Sequence, residues 1–197
     1  MDFLFFNAYI PLTMRIIRGI YKGRRFPTPK NFKARPTTDF AKEGLFNILD
    51  NNYFDFEEDK PAALDLFAGT GSIGLELASR GCRHVVSVEK DFRHWQFLQQ
   101  VAHELNDGIW KPVHADVFRF CKQCIERYDL IFADPPYSLP NLRDIPDIVL
   151  GEDVQDSLLA EGGLFVLEHG KDYDFNDYPC FVEHRNYGSV NFTFFRR

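Results

Sequence analysis

Nine consecutive residues, Asp129 to Tyr137, constrain the fold more than any other stretch of this sequence. Asp129-Leu130-Ile131-Phe132-Ala133 is an apolar run rich in β-formers, and it stops abruptly at Asp134-Pro135-Pro136-Tyr137. Such a run reads as a buried parallel strand, and two prolines forbid its continuation as helix or ladder. Asp134 and Tyr137 are therefore expected on a stiff turn at the carboxyl end of a strand, the edge where open α/β sheets hold ligands. A rigid acceptor beside a flat ring suits a planar substrate that carries an amino group.

The rest of the chain supplies a sheet for that strand. Ala62 to Phe67 reads as a first strand, followed by the glycine-rich Ala68 to Gly74 and a helix that Gly81 closes. His84 to Glu89 is a second strand ending in an acid, with a helix after it from Phe92 to about Asn106. A short strand near Val113 precedes His114-Ala115-Asp116, and an amphipathic helix is expected over Val117 to Arg127. Asn141 to Leu159 reads as broken helix, and Gly162-Gly163 as a turn into the strand Leu164 to Glu168. Cys180 to Asn186 and Ser189 to Phe195 form a closing antiparallel hairpin around Gly188. Strand–helix alternation with an antiparallel finish predicts a doubly wound α/β sheet, mostly parallel.

At 197 residues the chain fits one domain with an appendage. The expected division is an extension over 1–13, a basic arm and lead-in helix over 14–60, and the α/β body over 61–197. A net charge of −6 is unevenly spread: Arg15 to Arg35 holds eight basic residues and no acidic one, so the remainder carries −14. Tyr21, Phe26 and Phe32 interleave the positive charges, a pattern suited to tracking phosphates and stacking bases rather than to a plain solvated surface. Arg35-Pro36-Thr37-Thr38-Asp39 ends the arm, with Thr37, Thr38 or Asp39 to cap the next helix. The four cysteines are too few for a disulfide framework and fit a reducing cytoplasm. No apolar run approaches the roughly 20 residues of a membrane span. Met1 to Leu12 lacks the charged start and cleavage site of a signal peptide.

Gly69, Gly71 and Gly74 match the G-x-G-x-x-G spacing, and Glu89 lies 20 residues after Gly69, as a dinucleotide site would have it. Asp65, four residues before Gly69, argues otherwise: a carboxylate there repels a pyrophosphate and attracts an amine. S-adenosylmethionine carries an ammonium, a sulfonium, a ribose diol and an adenine, without phosphate. Asp65 suits the ammonium, Glu89 the diol and Asp116 the adenine amino group, with Phe67, Ala68, Thr70, Lys90 and Val117 beside them. NAD remains the alternative ligand of this loop.

Asp134 then supplies the chemistry. An exocyclic purine amine is a weak nucleophile because its lone pair is delocalised into the ring. Accepting its N–H protons at Asp134 and at the Pro135 carbonyl lets nitrogen aim that pair, while Tyr137 holds the base plane. The expected catalytic set is Asp134, Pro135, Pro136 and Tyr137. Glu168-His169 ends a strand near this edge and could line the site. Cys121-x-x-Cys124 lies among apolar helix positions without a second pair, and no histidine spacing suggests a metal.

With these residues in place, the sequence resembles the RsmD family, bacterial enzymes that methylate guanine N2 in small-subunit ribosomal RNA. The resemblance spans Met14 to the C-terminus. It rests on Arg15-Ile16-Ile17, Lys22-Gly23-Arg24-Arg25, Arg35-Pro36-Thr37-Thr38-Asp39, Glu43 with Leu45-Phe46-Asn47, Asp65 to Gly71, and Asp134-Pro135-Pro136-Tyr137. It implies a class I S-adenosylmethionine-dependent methyltransferase: a Rossmann-like, seven-stranded sheet with an antiparallel C-terminal hairpin and a small basic N-terminal extension. The implied product is an N2-methylated guanine of 16S rRNA, and the implied partner is the small ribosomal subunit. Arg15, Arg18, Lys22, Arg24, Arg25, Arg35, Thr37 and Thr38 are the expected RNA contacts. Many relatives carry Gly-Gly where this chain has Arg18-Gly19. A cytoplasmic monomer is expected. From the residues alone, an adenine-N6 or other amino-methyltransferase stays open, and an NAD-dependent oxidoreductase or a non-catalytic RNA-binding factor are the readings of other classes.

Overall fold

The computed structural model describes residues 13–29, 38–153 and 156–197. Strands β1 (Thr13–Arg15) and β2 (Arg25–Pro27) form a small antiparallel hairpin. Helix α1 (Asp39–Asn52) begins at Thr38, whose hydroxyl accepts the Ala41 N–H, so the second of the two threonines is the cap. The acidic connector after it contains a further turn of helix, α2 (Phe56–Asp59). Asp55 caps it, and three acids in its first turn suit the positive end of the helix.

The body then runs β3 (Ala62–Leu66), α3 (Ser72–Arg80), β4 (His84–Glu89), α4 (Phe92–Leu105), β5 (Trp110–His114), α5 (Val117–Gln123) and β6 (Tyr128–Ala133). A short 3-10 turn leads to α6 (Ile145–Leu150), followed by β7 (Leu159–His169), β8 (Phe181–Tyr187) and β9 (Val190–Arg196). The sheet order is β5-β4-β3-β6-β7-β9-β8. The first five strands are parallel neighbours, while β9 is antiparallel to both β7 and β8. This is the expected seven-stranded, doubly wound sheet with an antiparallel C-terminal hairpin.

Alternation along each strand divides the core in two. Ala63, Val85, Leu130 and Phe132 pack under Leu45, Leu75 and Leu98 of α1, α3 and α4. Leu64, Val86, Ile131 and Phe165 pack under Val117 and Val149 of α5 and α6. β3 and β6 lie side by side at the centre, and their carboxyl ends carry the glycine loop and the Asp134 turn.

Two local expectations are corrected. The α5 helix stops at Gln123, because Cys124 has extended backbone angles and the chain turns there toward β6. Among the described residues from Asn141 to Leu159, helix is confined to the 3-10 turn Leu142–Asp144 and the six residues of α6, and β7 already starts at Leu159. Gly162 and Gly163 lie inside that strand. The pairing jumps from Tyr128 opposite Leu159 to Leu130 opposite Leu164, so the glycines form a bulge rather than a turn before the strand. Among the described residues no helix is long and apolar enough to cross a membrane.

Candidate active site

The carboxyl ends of β3, β4, β6 and β7 open on a cavity of about 720 Å³. At the end of β3, Phe67 has a left-handed backbone, φ 62°, and faces this cavity with its ring edge-on to Phe118 at 6.2 Å. A non-glycine residue in that conformation costs about 1 kcal/mol, which its surroundings must sustain. The loop after it is held from the next strand. Glu89 accepts the N–H groups of Gly69 and Asp91, each at 2.7 Å.

Asp65 is 2% exposed and faces the cavity from below. Its Oδ2 accepts from the Gly74 N–H at 3.1 Å and the Ser87 hydroxyl at 3.0 Å, and Ser87 in turn accepts from the Trp110 indole. Burial pushes the Asp65 carboxyl up to about 7, the two hydrogen bonds opposing that rise and Glu89 adding to it. Asp134 is pushed well above the usual carboxylate range, first by burial and then by the charges of Glu168 and Asp65. Neither Asp65 nor Asp134 has an ion-pair partner among the described residues. A buried and a half-buried acid held this way favour a cation brought between them, since a positive ligand restores their ionised forms.

Asp134 is fixed by its own backbone, whose N–H donates to the Leu66 carbonyl at 3.2 Å, tying the tip of β6 to β3. Pro135 and Pro136 follow in the cavity wall. The Tyr137 hydroxyl donates to Glu168 at 3.1 Å, and its ring lies against Gly170, where a Cβ would come within 3.1 Å of it.

The structure brings all four residues expected for catalysis to this cavity, together with Asp65, Phe67, Ala68, Gly69, Thr70, Glu89, Lys90, Asp116 and Val117. Gly71 and Gly74 do not line it. Gly71 caps α3, and Gly74 is the point where α3 approaches the sheet: a Cβ there would sit 2.1 Å from the Ser87 hydroxyl. Asp116 is already engaged, one oxygen capping α5 through the Arg119 N–H and the other 3.0 Å from the Lys90 ammonium. That cation holds its carboxyl below the usual range.

Linear reading missed Phe132, Ser189 and Val190, which line the cavity, as does Thr38; of the Glu168-His169 pair expected near this edge, Glu168 lines it and His169 does not. Phe132 was findable, since it lies two residues before Asp134 on the same face of β6. Ser189 and Val190 were not, because only the insertion of β9 between β7 and β8 brings them there.

The expected RNA contacts divide. Arg15, Arg18 and Arg24 lie within 3.6, 3.0 and 2.8 Å of Glu43, Asp50 and Glu104, on the protein's own surface. Lys22 and Arg25 are exposed and have no ion-pair partner among the described residues. Arg35 and Thr37 lie outside the described residues. Gly19 explains the path at Arg18-Gly19. With φ 85° it sits so close to α3 that a Cβ would lie 1.7 Å from the Ser79 carbonyl oxygen. Arg18 meanwhile swings out to Asp50.

The family model described as conserved hypothetical protein 95 matches residues 14–196. The chain belongs to this family, the RsmD family. A Bacillus subtilis (strain 168) relative, YlbH, named as a candidate rRNA methyltransferase, is 34% identical over 165 residues, 82% of this chain and 85% of its own length. The Escherichia coli K12 protein named ribosomal RNA small subunit methyltransferase D is 35% identical over 124 residues. That alignment covers 63% of this chain and 60% of the relative. Among solved structures, an Escherichia coli protein described as a candidate methyltransferase, yhhF, superposes with a TM-score of 0.78 at 28% identity. It covers 94% of this chain and 98% of its own. The sheet is thus the class I methyltransferase fold.

Proposed function

We infer that this RsmD-family protein is an S-adenosylmethionine-dependent methyltransferase that modifies the exocyclic N2 of a guanine in 16S rRNA. One observation carries the chemistry: Asp134, on a Pro-Pro turn, faces the same cavity as Asp65 and Glu89, and that cavity presents acids where a dinucleotide site would present phosphate binders. The donor set fits a cationic, phosphate-free ligand. Asp65 would hold its ammonium, Glu89 its ribose hydroxyls, and Asp116 with Val117 its adenine. When bound, S-adenosylmethionine supplies a methyl group on a positively charged sulfur.

The chain's own residues do the rest. Asp134 and the Pro135 carbonyl accept the two N–H protons of the guanine amine, aiming its lone pair outward. Tyr137 stacks on the base, and its bond to Glu168 fixes the plane of the ring. As the carbon–nitrogen bond forms and the carbon–sulfur bond breaks, positive charge develops on nitrogen, and Asp134 stabilises it and takes the released proton. Burial beside Glu168 makes Asp134 a stronger base than an exposed carboxylate.

The names of the relatives support small-subunit rRNA as substrate. In this reading residues 14–60 carry the RNA, with Lys22 and Arg25 facing phosphates, and residues 61–197 carry the chemistry. Thr38, at the start of α1 and on the cavity wall, joins the two. The base enters unstacked, since a duplex interior hides its amino edge. Four free cysteines support a reducing, cytoplasmic setting, and every residue assigned above to cofactor and base belongs to one chain, in keeping with a monomer.

A methyl-incorporation assay offering RNA, DNA and protein side by side tests this. Label is expected in small-subunit rRNA, on guanine N2. Label confined to DNA, or on adenine N6, would overturn it.

A further inference from the structure

The acceptor at Asp134 alone does not distinguish guanine from adenine, since both offer an exocyclic amine. The wall of the cavity holds a second carboxylate beside it. β6 and β7 run parallel with Phe132 opposite Val166 and Ala133 opposite Leu167, so the next step of the register sets Asp134 next to Glu168 at the carboxyl edge. Both line the cavity, and Glu168 is only 4% exposed. Their proximity is felt electrostatically, as Glu168 raises Asp134. Two adjacent carboxylates, Glu168 buried and Asp134 half-buried, are costly unless hydrogen-bond donors meet them. The Tyr137 hydroxyl is one such donor to Glu168, and an ionised carboxylate, with about four acceptor sites, can take several donors at once.

The two purines differ in what they present along this edge. Guanine offers its N2 amine and its N1–H side by side, both donors. Adenine offers its N6 amine beside an N1 lone pair, a donor next to an acceptor. Resting on the function proposed above, we propose that Glu168 accepts the N1–H of the target guanine while Asp134 takes its N2 amine, so that the carboxylate pair selects guanine. An adenine in the same place would set its N1 lone pair against the Glu168 carboxylate. A site built to pair a polar group rejects the analogue that leaves it unpaired far more strongly than an apolar pocket rejects a misfit.

The test uses synthetic small-subunit rRNA fragments that present an unpaired guanine, prepared with guanine or 2-aminopurine at that position. 2-Aminopurine keeps the amine at carbon 2 and replaces N1–H with a lone pair. The wild type is expected to favour guanine by about tenfold or more in kcat/KM, the size of one good base contact. Glu168→Gln, of nearly the same shape, can turn its amide N–H toward that lone pair and should bring the ratio close to one or invert it. Tyr137→Phe removes one protein partner of Glu168 and should slow both substrates equally, leaving the ratio at its wild-type value. Glu168→Gln with an unchanged ratio would overturn the proposal, as would a Tyr137→Phe ratio that shifts as far as that of Glu168→Gln. Absence of N2 methylation on the guanine fragments by the wild type would instead sink the underlying function, and this inference with it. Thermal melting of both variants confirms that each is folded when assayed.

Discussion

Two groups of carboxylates, one around Glu76 on α3 and one at the carboxyl ends of β3 and β6, are built on opposite terms. Glu76 on α3 is fully buried and surrounded by positive partners. Lys42 lies 3.1 Å from one oxygen and Arg80 2.9 Å from the other, and the backbone N–H groups of Ile17 and Arg18 complete the set. Lys42, itself 1% exposed, also donates to the Arg15 carbonyl and the Ser72 hydroxyl, so one cation joins the N-terminal hairpin, α1 and the start of α3. Arg80 reaches on to Asp50 at 2.6 Å and covers the Phe46 ring at 4.3 Å. Asp65 is about as buried and Asp134 is half-buried, and neither has an ion-pair partner among the described residues. The first group is compensated from within and holds the basic hairpin on the body. In the function proposed above, a cationic ligand compensates the second. Uncompensated burial is how this fold marks its site.

The largest effect is expected at the uncompensated end. Asp134→Ala should lower methyl transfer at least about 1,000-fold, equivalent to about 4 kcal/mol of transition-state stabilisation. Calorimetric titration with S-adenosylhomocysteine should show binding within a few-fold of wild type, because the ammonium and ribose partners remain. Loss of both together would mean that Asp134 serves the cofactor rather than the base.

At the compensated end, Lys42→Met should leave Glu76 one cation short and cost on the order of 3 kcal/mol in denaturant unfolding. Unfolding within about 1 kcal/mol of wild type would show that the backbone donors and Arg80 suffice, and the contrast between the two groups would fail.

Asp65→Asn should have opposite effects on binding and stability. The folded carboxyl titrates at about 7, above its unfolded value, so the native state holds a proton that the unfolded chain releases between about pH 4 and 7. Wild-type stability from this group is therefore full below pH 4, declines as pH rises to about 7 and is flat beyond. The variant lacks that decline, so its advantage over wild type should grow to on the order of 4 kcal/mol by pH 8. Cofactor affinity should drop in the variant, and in the wild type it should weaken as pH falls below 7. A variant less stable than wild type at pH 8 would contradict the picture of an uncompensated acid.

The smallest effects belong to the arm. Lys22→Ala with Arg25→Ala should weaken RNA binding and reduce the slope of log affinity against log salt by about 1 to 2. Arg24→Ala should do less, because its guanidinium is already 2.8 Å from Glu104. Equal losses from the two variants would mean that the Arg24–Glu104 pair opens on RNA.

How much of this was legible in the sequence depends on the range of the interaction. The strand His84–Glu89 could be read to its ends, because an apolar run lies between a helix-stopping glycine and a terminal acid. The turn at Asp134 was equally plain, since Pro-Pro acts on its own neighbours. The stretch before Leu159 was not, as its helical spacing is overridden where the chain must return to the sheet. The pairing of Arg24 with Glu104 spans 80 positions and leaves no local trace, so a charge run that reads as wholly phosphate-facing turns out to be partly spent on the protein itself. Glu168 illustrates the same limit within the site. Its meaning comes from the strand beside it.

The central claim is tested most directly by mass spectrometry of nucleosides from 16S rRNA of cells with and without this gene. N2-methylguanosine at one site should vanish with the gene, return with the wild-type protein and fail to return with Asp134→Ala. An unchanged content of N2-methylguanosine in cells lacking the gene, or full restoration by Asp134→Ala, would contradict it.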